Sequence, residues 1–130
     1  MPTQDPPFRG PTILVAEDST EQRLLYVAIL EGAGYRVLEA SDGEEAVAIV
    51  RRERPGLVLM DVTMPRTSGW NAVRALKEDP ETMGVPIIVV TGLVGTWDRD
   101  ASIAAGADEH LAKPVSPPHL LKEVQKFLPR

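Results

Sequence analysis

Short apolar runs bounded by turn residues alternate along this chain with stretches whose apolar residues recur at helical spacing. TILVA, 12–16, is an apolar strand that ends directly on Glu17-Asp18. Ser19 with Gln22 three residues on matches a capping box, and the helix it opens runs to about Glu31, where Gly32 and Gly34 stop it. YRVLEA, 35–40, reads as a second strand, and Ser41-Asp42-Gly43-Glu44 as a second helix start, with Ala46, Val47 and Val50 at helical spacing until Pro55-Gly56. Leu57 to Met60 are four aliphatic residues between Pro55-Gly56 and Pro65, the mark of a strand buried on both faces, and they deliver Asp61 to its carboxyl end. Beyond a loop closed by Met64-Pro65, Ser68 is the expected cap of a third helix carrying Trp70, Val73 and Leu76 and ending near Asp79-Pro80. PIIVVT, 86–91, is the fourth strand; a loop with Gly92 and Gly95 leads to a helix from about Asp98 to Gly106. The fifth strand, 108–112, ends on Lys113-Pro114. Ser116-Pro117 then caps a last helix with Leu120, Leu121, Val124, Phe127 and Leu128 inward. Residues 1–11 hold four prolines and no periodicity, which predicts a mobile tail and a domain spanning 12–130.

Five strand–helix alternations predict a parallel sheet covered on both faces by helices. Parallel strands bring all their carboxyl ends to one edge, where ligands bind in such folds. Four of the five end on polar groups: Glu17-Asp18, Asp61, Thr91 and Lys113. At 130 residues and 43% hydrophobic, the chain suffices for one domain with a real core and leaves no room for a second. It has no cysteine, which excludes disulfides, thiolate zinc sites and cysteine nucleophiles and fits a reducing compartment. A net charge of −5, with no basic cluster beyond Arg51 to Arg54, gives a nucleic-acid surface no support. No apolar run approaches the ~20 residues of a membrane helix, and MPTQDPPFRGP lacks a signal peptide's apolar segment. The expectation is a soluble, unexported protein.

Taken singly, each strand-end residue has an ordinary reading: Asp61 as a turn residue, Thr91 as a backbone-satisfied hydroxyl, Lys113 as a solvated loop residue, Glu17-Asp18 as acidic bias at a helix start. Brought to one edge they make a site. Three crowded carboxylates repel unless a cation sits among them, and oxygen ligands without histidine or cysteine favour Mg²⁺. That combination points to phosphoryl chemistry with Asp61 as nucleophile. Mg²⁺, Lys113 and the Thr91 hydroxyl would each neutralise one phosphoryl oxygen.

With the acidic pair Glu17-Asp18, Asp61 with Met64-Pro65 and Ser68-Gly69, Thr91, and Lys113-Pro114 in this order, the chain resembles the receiver domains of two-component response regulators over nearly all of residues 12–128. The resemblance implies a flavodoxin-like doubly wound five-stranded sheet in order 2-1-3-4-5 with five helices. It implies phosphorylation of Asp61 by a histidine kinase or histidine phosphotransfer protein, and Mg²⁺ held by Asp18, Asp61 and the backbone carbonyl of Thr63, with Glu17 acting through water. It further implies a cytoplasmic signalling module that turns over no external substrate, docks on an output protein of unknown identity, and admits a phosphorylation-dependent dimer. Thr91 would be the hydroxyl of the switch. His110 stands three residues before Lys113, where the family commonly has an aromatic switch residue, and Glu17 stands where aspartate is commoner. A haloacid-dehalogenase-like Mg²⁺-dependent phosphatase or phosphotransferase, also built on a strand-end aspartate, is the alternative. It usually carries a second acid two residues on, where this chain has Thr63, and a cap domain for which the connections are too short.

Overall fold

The computed structural model describes residues 9–62, 68–92 and 104–129. Five strands, β1 (Arg9–Ala16), β2 (Arg36–Ala40), β3 (Pro55–Asp61), β4 (Ile87–Thr91) and β5 (Glu109–Ala112), form one sheet in the order β2-β1-β3-β4-β5, and every pair is parallel. Four helices are described: α1 (Thr20–Gly32), α2 (Gly43–Glu53), α3 (Ser68–Glu78) and α4 (Pro117–Phe127). The helix expected from about Asp98 falls mostly on residues outside the described ones; only 104 and 105, just before Gly106, are seen as helical.

Alternation along the strands divides the core in two. Leu14, Val58, Met60, Ile87 and Val89 pack with Ala46, Val50, Val73 and Leu76 of α2 and α3. Ile13, Val15, Leu57, Leu59, Ile88 and Val90 pack with Tyr26 and Leu30 of α1 and Leu120 and Val124 of α4. Every residue of β3 is buried, as a central strand between two helical layers must be. The sheet therefore turns from one winding direction to the other between β1 and β3, and their carboxyl ends flank a crevice.

Local chemistry sets the boundaries. Ser19 accepts from the Gln22 N–H at 3.3 Å and Ser116 from the His119 N–H at 3.2 Å, so the first and last helices start where expected. The second starts one residue later than Ser41 would place it. Asp42 is the cap, accepting from the Glu45 N–H at 2.8 Å, while Glu45 Oε1 reaches back to the Ser41 N–H at 2.6 Å. The third helix begins at Ser68, and its cap lies outside the described residues. β1 begins at Arg9 rather than Thr12, because Arg9 pairs with Pro55 ahead of a register shift before Ile13.

At the amino edge of the sheet, away from the acids, Lys77 joins three segments. Its ammonium donates to the carbonyls of Met83 (3.2 Å) and Val85 (2.8 Å) and pairs with Asp108 Oδ2 (2.8 Å), which also accepts from the Ile87 N–H (2.8 Å).

Candidate functional site

β3 ends on Asp61, paired in register with Val90 and only 2% exposed. Glu17 follows β1 directly and is equally buried. Its backbone is fixed from both sides: the Glu17 N–H donates to the Ala40 carbonyl at 3.0 Å, and its carbonyl accepts from Arg23 Nη1 at 2.8 Å. Arg23 is itself held by Glu39 at 2.9 Å. Glu17 Oε2 accepts from the Ser19 N–H at 3.0 Å, which turns its carboxylate across the start of α1. Asp18 is exposed. Glu17, Asp18 and Asp61 each offer a carboxylate oxygen, all within 4.8 Å of one another.

Lys113 enters from the end of β5. Its ammonium lies 2.7 Å from Asp61 Oδ2, 2.7 Å from Gln22 Oε1 and 3.4 Å from Glu17 Oε1. The Lys113 N–H donates to the Thr91 carbonyl at 2.8 Å, tying the ends of β4 and β5 together, and Thr91 is fully buried. Beside it, a side chain at Gly92 would begin 3.8 Å from Lys113 Cδ.

Burial, and then the adjacent Asp61, push the Glu17 carboxyl up to about 8. Burial also acts to lower the Lys113 ammonium, but its hydrogen bond to Asp61 and the charges of Asp61 and Glu17 outweigh that and raise it. One lysine thus only partly compensates two buried acids. A hard divalent cation fits this all-oxygen donor set and would favour the ionised form of Glu17 against the burial and the neighbouring Asp61 that raise it.

The predicted strand-end residues Glu17, Asp18, Asp61, Thr91 and Lys113 do lie at one edge. Thr63, Met64-Pro65 and Gly95 lie outside the described residues. His110 is half-buried on β5 beside Val89, and its Nε2 is buried with no hydrogen-bond partner among the described residues. Gly69 presses on the site from α3: a Cβ there would sit 2.8 Å from both the Asp61 carbonyl oxygen and Val62 Cα. Sequence reasoning missed Gln22 and Arg23. Ser19-x-x-Gln22 was legible as a capping box, but Glu17 occupies the Ser19 N–H that the glutamine would have taken.

A doubly wound parallel sheet with an aspartate at the end of its central strand, an acidic pair after the first and a lysine after the last defines a class of α/β proteins with one acidic site at the topological switch. Within that class the chain belongs to the response regulator receiver domain family, whose model matches residues 13–125. It is 39% identical to Protein PilH of Pseudomonas aeruginosa over 116 residues, covering 89% of this chain and 96% of PilH. Among solved structures it is similar to the Vibrio cholerae chemotaxis protein CheY4, with 32% identity, a TM-score of 0.84, and coverage of 90% of this chain and 98% of that one. It is also similar to the receiver domain of the sensor histidine kinase PA1611 of P. aeruginosa, solved with a magnesium ion coordinated in its active-site cleft. That match has 33% identity, a TM-score of 0.83, and coverage of 92% of this chain and 98% of that one. The chain spans about half the length of other curated relatives, transcriptional regulators among them. It is a receiver domain of two-component signalling, and the haloacid-dehalogenase-like alternative is not favoured. Among the described residues no helix is long and apolar enough to cross a membrane.

Proposed function

We propose that Asp61 is the phosphoacceptor, and that the chain takes one phosphoryl group from a histidine kinase or histidine phosphotransfer protein without turning over an external substrate. The observation that carries this is the Lys113 ammonium 2.7 Å from Asp61 Oδ2 inside a three-carboxylate cluster. In the transfer, an Asp61 oxygen forms a bond to phosphorus, and the bond from phosphorus to the donor breaks with its electron pair leaving on the donor. Asp61 attacks as a carboxylate, so no base is required. Lys113 keeps its proton and follows the charge from Asp61 to a phosphoryl oxygen, and the Thr91 hydroxyl donates to another. Asp18, Asp61 and the Thr63 carbonyl would hold Mg²⁺, with Glu17 acting through water; the cation would supply charge neutralisation at the phosphoryl group.

The signal leaves through Thr91 and His110, the latter in the place of the family's aromatic switch residue, toward an output protein that reads the face around β4 and β5, in a cytoplasmic setting. Direct contact with nucleic acid or membrane has no part in this reading, and a second phosphorylated copy is one partner the face would admit. Acetyl phosphate with Mg²⁺ should add a single base-labile phosphoryl group, read by intact mass. Equal labelling of Asp61→Asn would sink the assignment.

A further inference from the structure

Lys113 reaches its position with help from a residue that belongs to neither the acidic cluster nor the strand ends. The geometry points to Gln22 as a positioning residue that aims the Lys113 ammonium at Asp61 and thereby sets how fast Asp61 accepts a phosphoryl group; the inference rests on the phosphoacceptor reading above.

An ammonium has three N–H donors. In this site Gln22 Oε1 and Asp61 Oδ2 take two of them at 2.7 Å each, and Glu17 Oε1 stands at 3.4 Å as a longer ion-pair contact. Gln22 is neutral, so it orients the ammonium without neutralising it. It is free to do so because of an exchange of partners at the start of α1. In a capping box the glutamine side chain would turn back to the N–H of the cap residue. Here Glu17 Oε2 already accepts from the Ser19 N–H at 3.0 Å, and Gln22 instead reaches a lysine 91 positions away in sequence. The backbone half of the cap, the Gln22 N–H on Ser19 Oγ, needs no particular side chain at 22 and survives substitution.

Without the amide oxygen, the ammonium keeps one N–H free and two carboxylates of unequal distance. The Glu17 contact then shortens, and Lys113 must be drawn back from Glu17 each time a phosphoryl group arrives on Asp61. Loss of the oxygen should therefore slow phosphorylation about three- to tenfold, the scale of one hydrogen bond to a charged group partly open to water.

The experiment follows labelling of Asp61 by acetyl phosphate at saturating Mg²⁺, by intact mass, in Gln22→Ala and in Gln22→Met. The second keeps the length of the side chain and the helix propensity while removing the oxygen. Both are repeated in a Lys113→Ala background, and Mg²⁺ affinity and melting temperature are measured in parallel. The expected result is severalfold slowing by both substitutions when Lys113 is present, no further slowing when it is absent, and Mg²⁺ affinity and melting temperature within error of the parent. Equal slowing in both backgrounds, or none in either, overturns the positioning role. So does slowing that tracks a loss of Mg²⁺ affinity or of stability. Failure of the parent protein to label at all overturns the phosphoacceptor reading, and this inference with it; a labelled parent indifferent to Gln22 overturns the inference alone.

Discussion

Replacing Glu17 with glutamine should stabilise the metal-free protein. Glu17 is 2% exposed, shares its surroundings with Asp61, and has its carboxyl held up at about 8 against an ordinary 4.5. A factor of ten in proton affinity is ~1.4 kcal/mol, so burial and repulsion together cost at most ~5 kcal/mol once Glu17 is ionised. The amide keeps the burial cost of a polar group, and Lys113 loses one carboxylate neighbour, so about 2 kcal/mol of gain should remain. For a domain of this size that is about 6 °C in Tm. The pH dependence follows from the sign of the shift. Glu17 titrates near 4.5 in the unfolded chain and at about 8 in the folded one, so between those values the unfolded chain sheds its proton first, and rising pH favours unfolding. The advantage of Glu17→Gln should thus be small at about pH 5 and full by about pH 8. Mg²⁺ should then narrow it, since a ligand at a hundred times its Kd adds about 2.7 kcal/mol and the wild type binds the cation better. Thermal melts in EDTA across that pH range, with and without excess Mg²⁺, measure all of this. A variant that melts at or below wild type at about pH 8 in EDTA, or gains equally at both ends of the range, refutes the repulsion argument.

Asp18→Asn should weaken Mg²⁺ on the order of tenfold or more, and Glu17→Gln less, by fluorescence or calorimetric titration; the reverse order would exchange their assigned roles. Lys77→Met removes an ammonium that joins Asp108 to two carbonyls and should cost about 1–2 kcal/mol in a denaturant titration while leaving Asp61 labelling intact. A slowed labelling rate would mean that the amino edge communicates with the site. His110 ring resonances should move when beryllofluoride and Mg²⁺ are added, and an unchanged ring environment would make His110 a bystander.

Much of the fold was legible because the hydrophobic period was clean. Leu57 to Met60 could only be a strand buried on both faces, and β1 and β4 carry the alternation that splits the core. Four of the strand-end groups were likewise visible as residues. What the sequence could not show was how partners are shared among near-equivalent acceptors. Ser41 and Asp42 are both good caps, and Asp42 takes the role because Glu45, one residue beyond Glu44, is the acid that reaches back. Gln22 looked like half of a cap and became a partner of Lys113, since the neighbouring Glu17 takes the Ser19 N–H and the ammonium that Gln22 meets comes from the end of β5, 91 positions away. Arg9 lengthens β1 through pairing with Pro55, a contact with no local signature. Glu123, 7% exposed on α4 and paired with Lys126 at 2.9 Å, shows the same limit: charge on an otherwise apolar helix face is decided by its neighbour.

The close approach at Gly69 bears on how this protein can change over generations. Around the acids, one altered charge can be answered by another, because the interacting atoms are the ends of side chains. At position 69 the obstructing atoms are the carbonyl of Asp61 and the Cα of Val62, 2.8 Å from where a Cβ would stand, so no exchange of a neighbouring residue makes room. A lineage that lost this glycine would have to move the end of β3 and the start of α3 apart.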